Sequence, residues 1–123
     1  MTREEYRQLI MFSGMVNVRG QRRNRTVPYN RIYLNTHELF PGESQKFRNH
    51  SPDGFDWGYG GSGPSQLALA VMLEYIKDPA VALKLYQQFK TDAISVLPHG
   101  DFDCQWDLSR WFEKNINPAW LEE

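Results

Sequence analysis

The chain has 123 residues, of which 41% are apolar and 24% charged, proportions typical of a soluble globular protein. One domain of this size can bury a hydrophobic core without disulfides or structural metals to stabilise it. A single cysteine excludes an internal disulfide and a zinc site built from cysteines. No apolar run approaches the roughly 20 residues of a membrane-spanning helix, and the polar N-terminus lacks the apolar core of a signal peptide. We therefore expect a cytoplasmic protein with no membrane partner.

The net charge of −1 conceals two halves of opposite sign. Residues 1–52 carry nine basic and four acidic side chains, a net charge of +5, whereas residues 53–123 carry five basic and eleven acidic side chains, a net charge of −6. Two interpretations remain open. The halves pack together and neutralise each other, or the basic half contacts an anionic partner.

The first 48 residues predict a strand-rich, basic segment. In chain order we predict a short helix (2–9), a strand with a bulge at Gly14 (10–18), a basic turn (19–25) and two further strands (27–34 and 44–48). Residues 49–63 form a loop in which five glycines alternate with aromatic side chains. Aromatic packing onto the core would offset the entropy lost when so many glycines are ordered.

Residues 64–123 predict a helical, acidic segment. Pro64 suits the first helical position after a cap at Ser62 or Gly63, and Gln66 is placed to reach back to that cap. We predict a buried helix (65–77), a second helix started by Asp78 and Pro79 (80–96), an acidic loop (99–105) and a last helix (108–115). The fold class is α+β, one domain over residues 1–123, with a small antiparallel N-terminal sheet packed on two to three C-terminal helices.

The glycine-rich loop is the first candidate site. Its G-x-G-x-x-G spacing lacks the strand–helix–strand context of a dinucleotide fold. A glycine-rich loop that leads into a helix start still exposes backbone amides to an anion or a nucleotide. The alternative is that these glycines only let the loop approach the core. The candidate ligand-binding residues are Trp57, Tyr59, Gly60, Gly61, Ser62, Gly63, Ser65 and Gln66.

The basic turn is the second candidate site. Four arginines within seven residues, near Tyr29 and Tyr33, suit a nucleic acid or another partner, although a solvated hairpin tip is the alternative. The candidate partner-binding residues are Arg19, Arg22, Arg23, Arg25 and His50. The three histidines have no metal-site spacing. His50 with Ser62 lacks an orienting partner for catalysis, so we expect no metal or cofactor and favour a non-catalytic protein.

The stretch from Asn49 to Ala70, with its N-H-S-P-x-G-F-x-W-G-Y-G-G-S-G-P-x-Q-L-A-L-A pattern, resembles a family of short, uncharacterised proteins of bacteria, archaea and phages. Similarity continues through Ala82 to Lys90, and Val18 stands where the family has an aromatic residue. The resemblance implies an accessory protein of phages or mobile elements. Such a protein would antagonise host defence in the host cytoplasm by binding a protein complex, a nucleic acid or a signalling nucleotide.

Overall fold

The computed structural model describes residues 1–122. Its helices are α1 (Arg3–Ser13), α2 (Gly42–Phe47), α3 (Ser62–Tyr75), α4 (Pro79–Phe89) and α5 (Leu108–Asn115). Its strands are β1 (Met15–Gln21), β2 (Arg31–Leu34), β3 (His37–Leu39) and β4 (Phe102–Asp107). A π-helical turn (Lys90–Ile94) extends α4, and a 3-10 turn (Pro118–Trp120) follows α5. The expected α+β class is confirmed.

The four strands form one antiparallel sheet in the order β3-β2-β1-β4. Val18 of β1 pairs with Leu34 of β2 on one side and with Cys104 of β4 on the other. The strand residues alternate, so that Val16, Val18 and Ile32 are buried while their neighbours face outwards. Among the described residues, no helix covers the outward face of β1, and this leaves a polar sheet surface open to solvent.

Helix α3 is the centre of the core, because every residue from Gly63 to Met72 is buried. Its apolar side chains and the inward side chains of the sheet belong to one hydrophobic cluster. Asp78 caps α4 by accepting from the Ala80 N–H, with Pro79 next in the helix, as predicted. No helix in the described part of the chain is long and apolar enough to cross a membrane.

The N-terminal predictions need several corrections. Strand β1 continues through Gln21, into the turn predicted for 19–25, and the second strand begins at Arg31 and not at residue 27. Residues 10–13 continue α1, and Gly14 is not a bulge but the cap after the helix, with a φ of 57° that suits glycine. The third strand is His37–Leu39 rather than 44–48, which lies largely in α2. Asn35, at a φ of 56°, closes the tight turn before this strand and pairs its side-chain oxygen with the Asn17 N–H.

The acidic loop predicted for residues 99–105 is also wrong, because most of it belongs to β4. Its acidic side chains occupy the exposed positions of a strand whose alternate residues, beginning with Phe102, face the core. The second helix ends at Phe89 and passes into the π-helical turn, in which the Ser95 N–H donates to the Lys90 carbonyl. The cap of α3 is Gly61, one residue before the predicted pair.

Candidate functional site

The glycine-rich loop packs onto the protein interior. Phe55 and Trp57 are buried, and the Trp57 indole N–H donates to the Gly100 carbonyl at 2.9 Å. Gly58 has a φ of 88° and donates its N–H to the Ile94 carbonyl at 3.0 Å. A Cβ at Gly58 would lie 3.1 Å from the Leu97 carbonyl oxygen, so glycine permits this close approach. The expected packing of the loop aromatics onto the core therefore holds at Phe55 and Trp57.

Arg22 fastens the basic loop to the glycine-rich loop. Its guanidinium carbon lies 4.1 Å from the centre of the Trp57 ring. Its N–H groups donate to the Asp56 carboxylate, to the Trp57 carbonyl at 3.0 Å and to the His99 carbonyl at 2.6 Å. All these contacts are internal, so the Arg22 guanidinium is engaged within the fold.

Asp56 is the acceptor at the centre of this network. One oxygen accepts from Arg22 and from the Trp57 N–H, and the other accepts from the Tyr59 hydroxyl at 2.9 Å. Burial opposes ionisation of Asp56, but these donors outweigh it and hold the pKa of its carboxyl below the ordinary value. Burial and the Asp56 contact raise the pKa of Tyr59, so this hydroxyl stays a donor.

The Asp56 side chain lies against the first turn of α3. A Cβ at Gly63 would lie 2.5 Å from the Asp56 Cβ, so this carboxylate-bearing side chain packs directly against the first turn. A polar cavity of about 240 Å³ adjoins it, lined among others by Arg23, Asp53 and Ser62. Two aspartates and one arginine line this cavity, and that balance disfavours an anion. Gly60 and Tyr59 are exposed nearby. The anion site stays a prediction.

Gln66 organises the loop that precedes the glycines. Its side chain is fully buried; the amide oxygen accepts from the N–H groups of His50 and Ser51, and the amide nitrogen donates to the Ser44 hydroxyl and to the Arg48 carbonyl. Gln66 therefore reaches a neighbouring loop rather than its own helix cap. Ser65 is also buried, with 4% of its surface exposed, so neither side chain faces solvent.

His50 has an internal partner too. Its Nε2 lies 2.8 Å from the hydroxyl of the buried Tyr86, and the two rings are 5.5 Å apart. Ser62 lies at the opposite end of the loop segment and is exposed. Within the described residues no hydrogen bond joins His50 to Ser62, and no group of three or more His, Cys, Asp or Glu residues is arranged to hold a metal ion.

The open face of the sheet brings together side chains that can bind a partner. Arg19 of β1 lies over the Tyr33 ring at 4.3 Å, and Arg31 of β2 lies over the Tyr29 ring at 5.3 Å. The Arg31 guanidinium also approaches the Tyr33 hydroxyl at 3.4 Å. Two cations and two aromatic rings thus form a continuous row across neighbouring strands. We call Arg19, Tyr29, Arg31 and Tyr33, together with Arg23 and Arg25, the basic face.

Arg23 and Arg25 lie in the loop between β1 and β2, where both side chains are exposed, and Arg23 lines the polar cavity together with Tyr29. Asn24 and Asn30 hold the loop by accepting from the backbone N–H groups of Val27 and Arg23. Across the described residues, none of the four arginines of the basic face forms an ion pair. The two halves therefore meet in an ion pair at Arg22 and Asp56, whereas the described residues form no ion pair at the basic face.

Of the predicted partner-binding residues, Arg22 and His50 have internal partners, whereas Arg19, Arg23 and Arg25 form no ion pair among the described residues and stay predictions. Arg31 was missed because it stands alone in sequence, outside the arginine-rich turn. The signal that would have found it is the strand alternation, which places Arg31 and Tyr33 on the same outward face as Arg19.

The sequence model of one protein family, described as "Family of unknown function (DUF6166)", matches residues 18–122. Searches of curated proteins and of solved structures gave no match. The matched range contains the whole basic face and the whole glycine-rich loop, and it omits α1 and the start of β1.

Proposed function

The chain belongs to DUF6166, a family of unknown function, and we propose that it is a non-catalytic binding protein whose basic face contacts a nucleic acid. One observation carries the proposal. Arg19 and Arg31 are held over tyrosine rings on an uncovered sheet, beside Arg23 and Arg25, and none of the four forms an ion pair in the described part of the chain.

The chemistry of this surface suits a single strand. Guanidinium groups bind phosphate oxygens bidentately, and unstacked bases pack on aromatic rings or on guanidinium planes. Acidic residues lie on both sides of the row, because Asp103 pairs with Arg19 in the β1–β4 register and Glu38 pairs with Tyr33 in the β2–β3 register. These carboxylates would confine a phosphate backbone to the middle two strands of the sheet.

Fluorescence anisotropy with a fluorescein-labelled 15-mer tests the proposal. The probes are oligo-dT, a mixed-sequence RNA and a DNA duplex. The test variant is R19A/R23A/R25A, and the matched control is R7A/K46A/K114A, which also removes three exposed cations. We expect the test variant to weaken single-strand binding at least tenfold and to lower the salt slope by about 2, since each phosphate contact on a single strand contributes roughly 0.7.

The control variant should change the affinity by less than about threefold, because long-range charge alone is screened at 0.1 M salt. Equal losses in the two variants would show that only net charge matters and would overturn the assignment of the surface. An absence of binding by the unmodified protein at 100 µM would overturn the choice of nucleic acid.

The biological setting that goes with this proposal is the one the resemblance implies. The protein would act as a phage or mobile-element accessory factor that antagonises host defence, in the manner of an anti-CRISPR inhibitor. Its expression in a host with active interference should restore phage plating, and the R19A/R23A/R25A variant should fail to do so. Restored plating by that variant would separate the inhibitory role from the basic face.

A further inference from the structure

An apolar groove lies at the opposite edge of the sheet from β4. It runs between the edge strand β3, helix α2 and the end of α3, and it encloses about 400 Å³. We call it the α2 groove; its apolar lining is Leu39, Phe40, Phe47, Ala70, Leu73 and Ile76.

Two aromatic side chains on this groove are exposed. Phe40 has 58% and Phe47 has 47% of its surface open to solvent, whereas the groove floor at Leu39, Ala70 and Ile76 is buried. Two half-exposed phenylalanines beside one concave surface are typical of a site that a partner covers.

The rim of the groove is acidic. Glu38, Glu43 and Glu74 line it, against Lys77 and His37. Lys46 reaches Glu43 in an exposed pair at 3.0 Å and His37 reaches Glu74 at 3.3 Å, so Glu38 is the rim glutamate that has no ion pair among the described residues. One oxygen of Glu38 is buried and has no hydrogen-bond donor among the described residues.

We propose that the α2 groove binds a cationic, amphipathic segment of a partner protein. Large apolar side chains of the segment would fill the space between Phe40 and Phe47, while its lysines or arginines would lie against the three glutamates. Charge complementarity selects this occupant, because an acidic segment would face the same glutamates without compensation. The groove contains none of the arginines or tyrosines of the basic face, and Glu38 is the residue at which the two surfaces adjoin, so the variants at Phe47 and Glu43 test the groove without changing the basic face.

The test uses the full chain and three labelled helical peptides of 14 residues, built from Leu and Lys, from Leu and Glu, or from Ser and Lys. Anisotropy should show micromolar binding of the Leu/Lys peptide and at least tenfold weaker binding of the other two. The Leu/Glu peptide tests the charge, and the Ser/Lys peptide tests the apolar contact.

Matched variants locate the site. F47S removes an exposed ring of the groove and E43K reverses an exposed rim charge, whereas V96S removes another exposed apolar side chain and E4K reverses another exposed charge elsewhere on the surface. We expect F47S to weaken Leu/Lys binding about tenfold and E43K about fivefold, with both controls within twofold. Circular dichroism of each variant confirms that the fold is retained.

Three results would overturn the proposal. The first is no binding of the Leu/Lys peptide at 200 µM. The second is equal binding of the Leu/Glu peptide, which would make the contact purely apolar. The third is a loss of binding in V96S or E4K as large as in the groove variants, which would show that the peptide adheres to the surface at large.

Discussion

Replacement of Arg22 by methionine tests whether the network beneath the glycine-rich loop stabilises the fold. The variant keeps the apolar stem but loses the guanidinium. The loss comprises the ion pair with Asp56, whose side chain is 31% exposed, two hydrogen bonds to carbonyls and the contact with the Trp57 ring. Each hydrogen bond contributes about 1 kcal/mol, the partly exposed ion pair roughly 0.5 kcal/mol and the ring contact roughly 0.5 kcal/mol. The free energy of unfolding should therefore fall by about 3 kcal/mol.

Urea denaturation followed by tryptophan fluorescence measures this change, with Arg25→Met as the matched control. Arg25 is exposed and forms no ion pair within the described residues, so its replacement should change stability by less than about 0.5 kcal/mol. The Arg22→Met/Asp56→Asn double variant should lose less than the sum of the two single variants, because the residues share one interaction. A loss below about 1 kcal/mol in Arg22→Met would refute the structural role.

The pH dependence of the same variant gives the sign of the electrostatic contribution. The folded protein holds the pKa of Asp56 below its ordinary value of 3.8. Its ionised form therefore contributes stability above that pH, and the contribution is lost as the pH falls through the lowered pKa. The stability difference between the unmodified protein and Arg22→Met should narrow from pH 7 to pH 3, and a constant difference would contradict this mechanism.

Three further predictions concern residues in the core or packed against it. Gly20→Ala should destabilise the protein by about 2 kcal/mol in urea denaturation, because the new Cβ would overlap the Phe102 ring, and Phe102→Leu in the same chain should recover part of the loss. Gln66→Leu should cost about 3 kcal/mol and accelerate amide exchange in residues 44–51, since its partners lose their hydrogen bonds. The Cys104 thiol should react slowly with iodoacetamide at pH 8, because burial and the Asp103 charge raise its pKa; alkylation as fast as that of free cysteine would contradict this.

The helices of the second half were readable from sequence because their signals are local. Asp78 and Pro79 mark the start of α4, and the continuous apolar run of α3 marks a buried helix. Strand β4 was not readable from its charge. The aspartates of this segment are typical of a loop in sequence. The pairing with β1 shows that they occupy alternate, solvent-facing positions of a strand.

The candidate sites show the same difference between local sequence signals and contacts that only the fold creates. A run of arginines identifies a basic loop, but sequence cannot show which of them the fold uses. The Arg22 guanidinium contacts residues that are separated from it by 34 to 77 positions in the sequence, whereas the neighbouring Arg23 is exposed. Gln66 is likewise a polar residue in an apolar helix. Its burial is explained only by the hydrogen-bond partners that the fold brings to it.

The position of β4 has a consequence for the order in which the protein assembles. Strand β1 is synthesised before β4, and this hydrogen-bonded neighbour lies more than 80 residues later in the chain. Before β4 pairs with it, β1 has an unpaired edge. Until then Trp106 of β4 also cannot pack its ring against Phe89. Folding then depends on closing one very long loop, which is slow compared with forming local contacts. A cut in the glycine-rich loop should therefore yield two fragments that fold only when they are mixed.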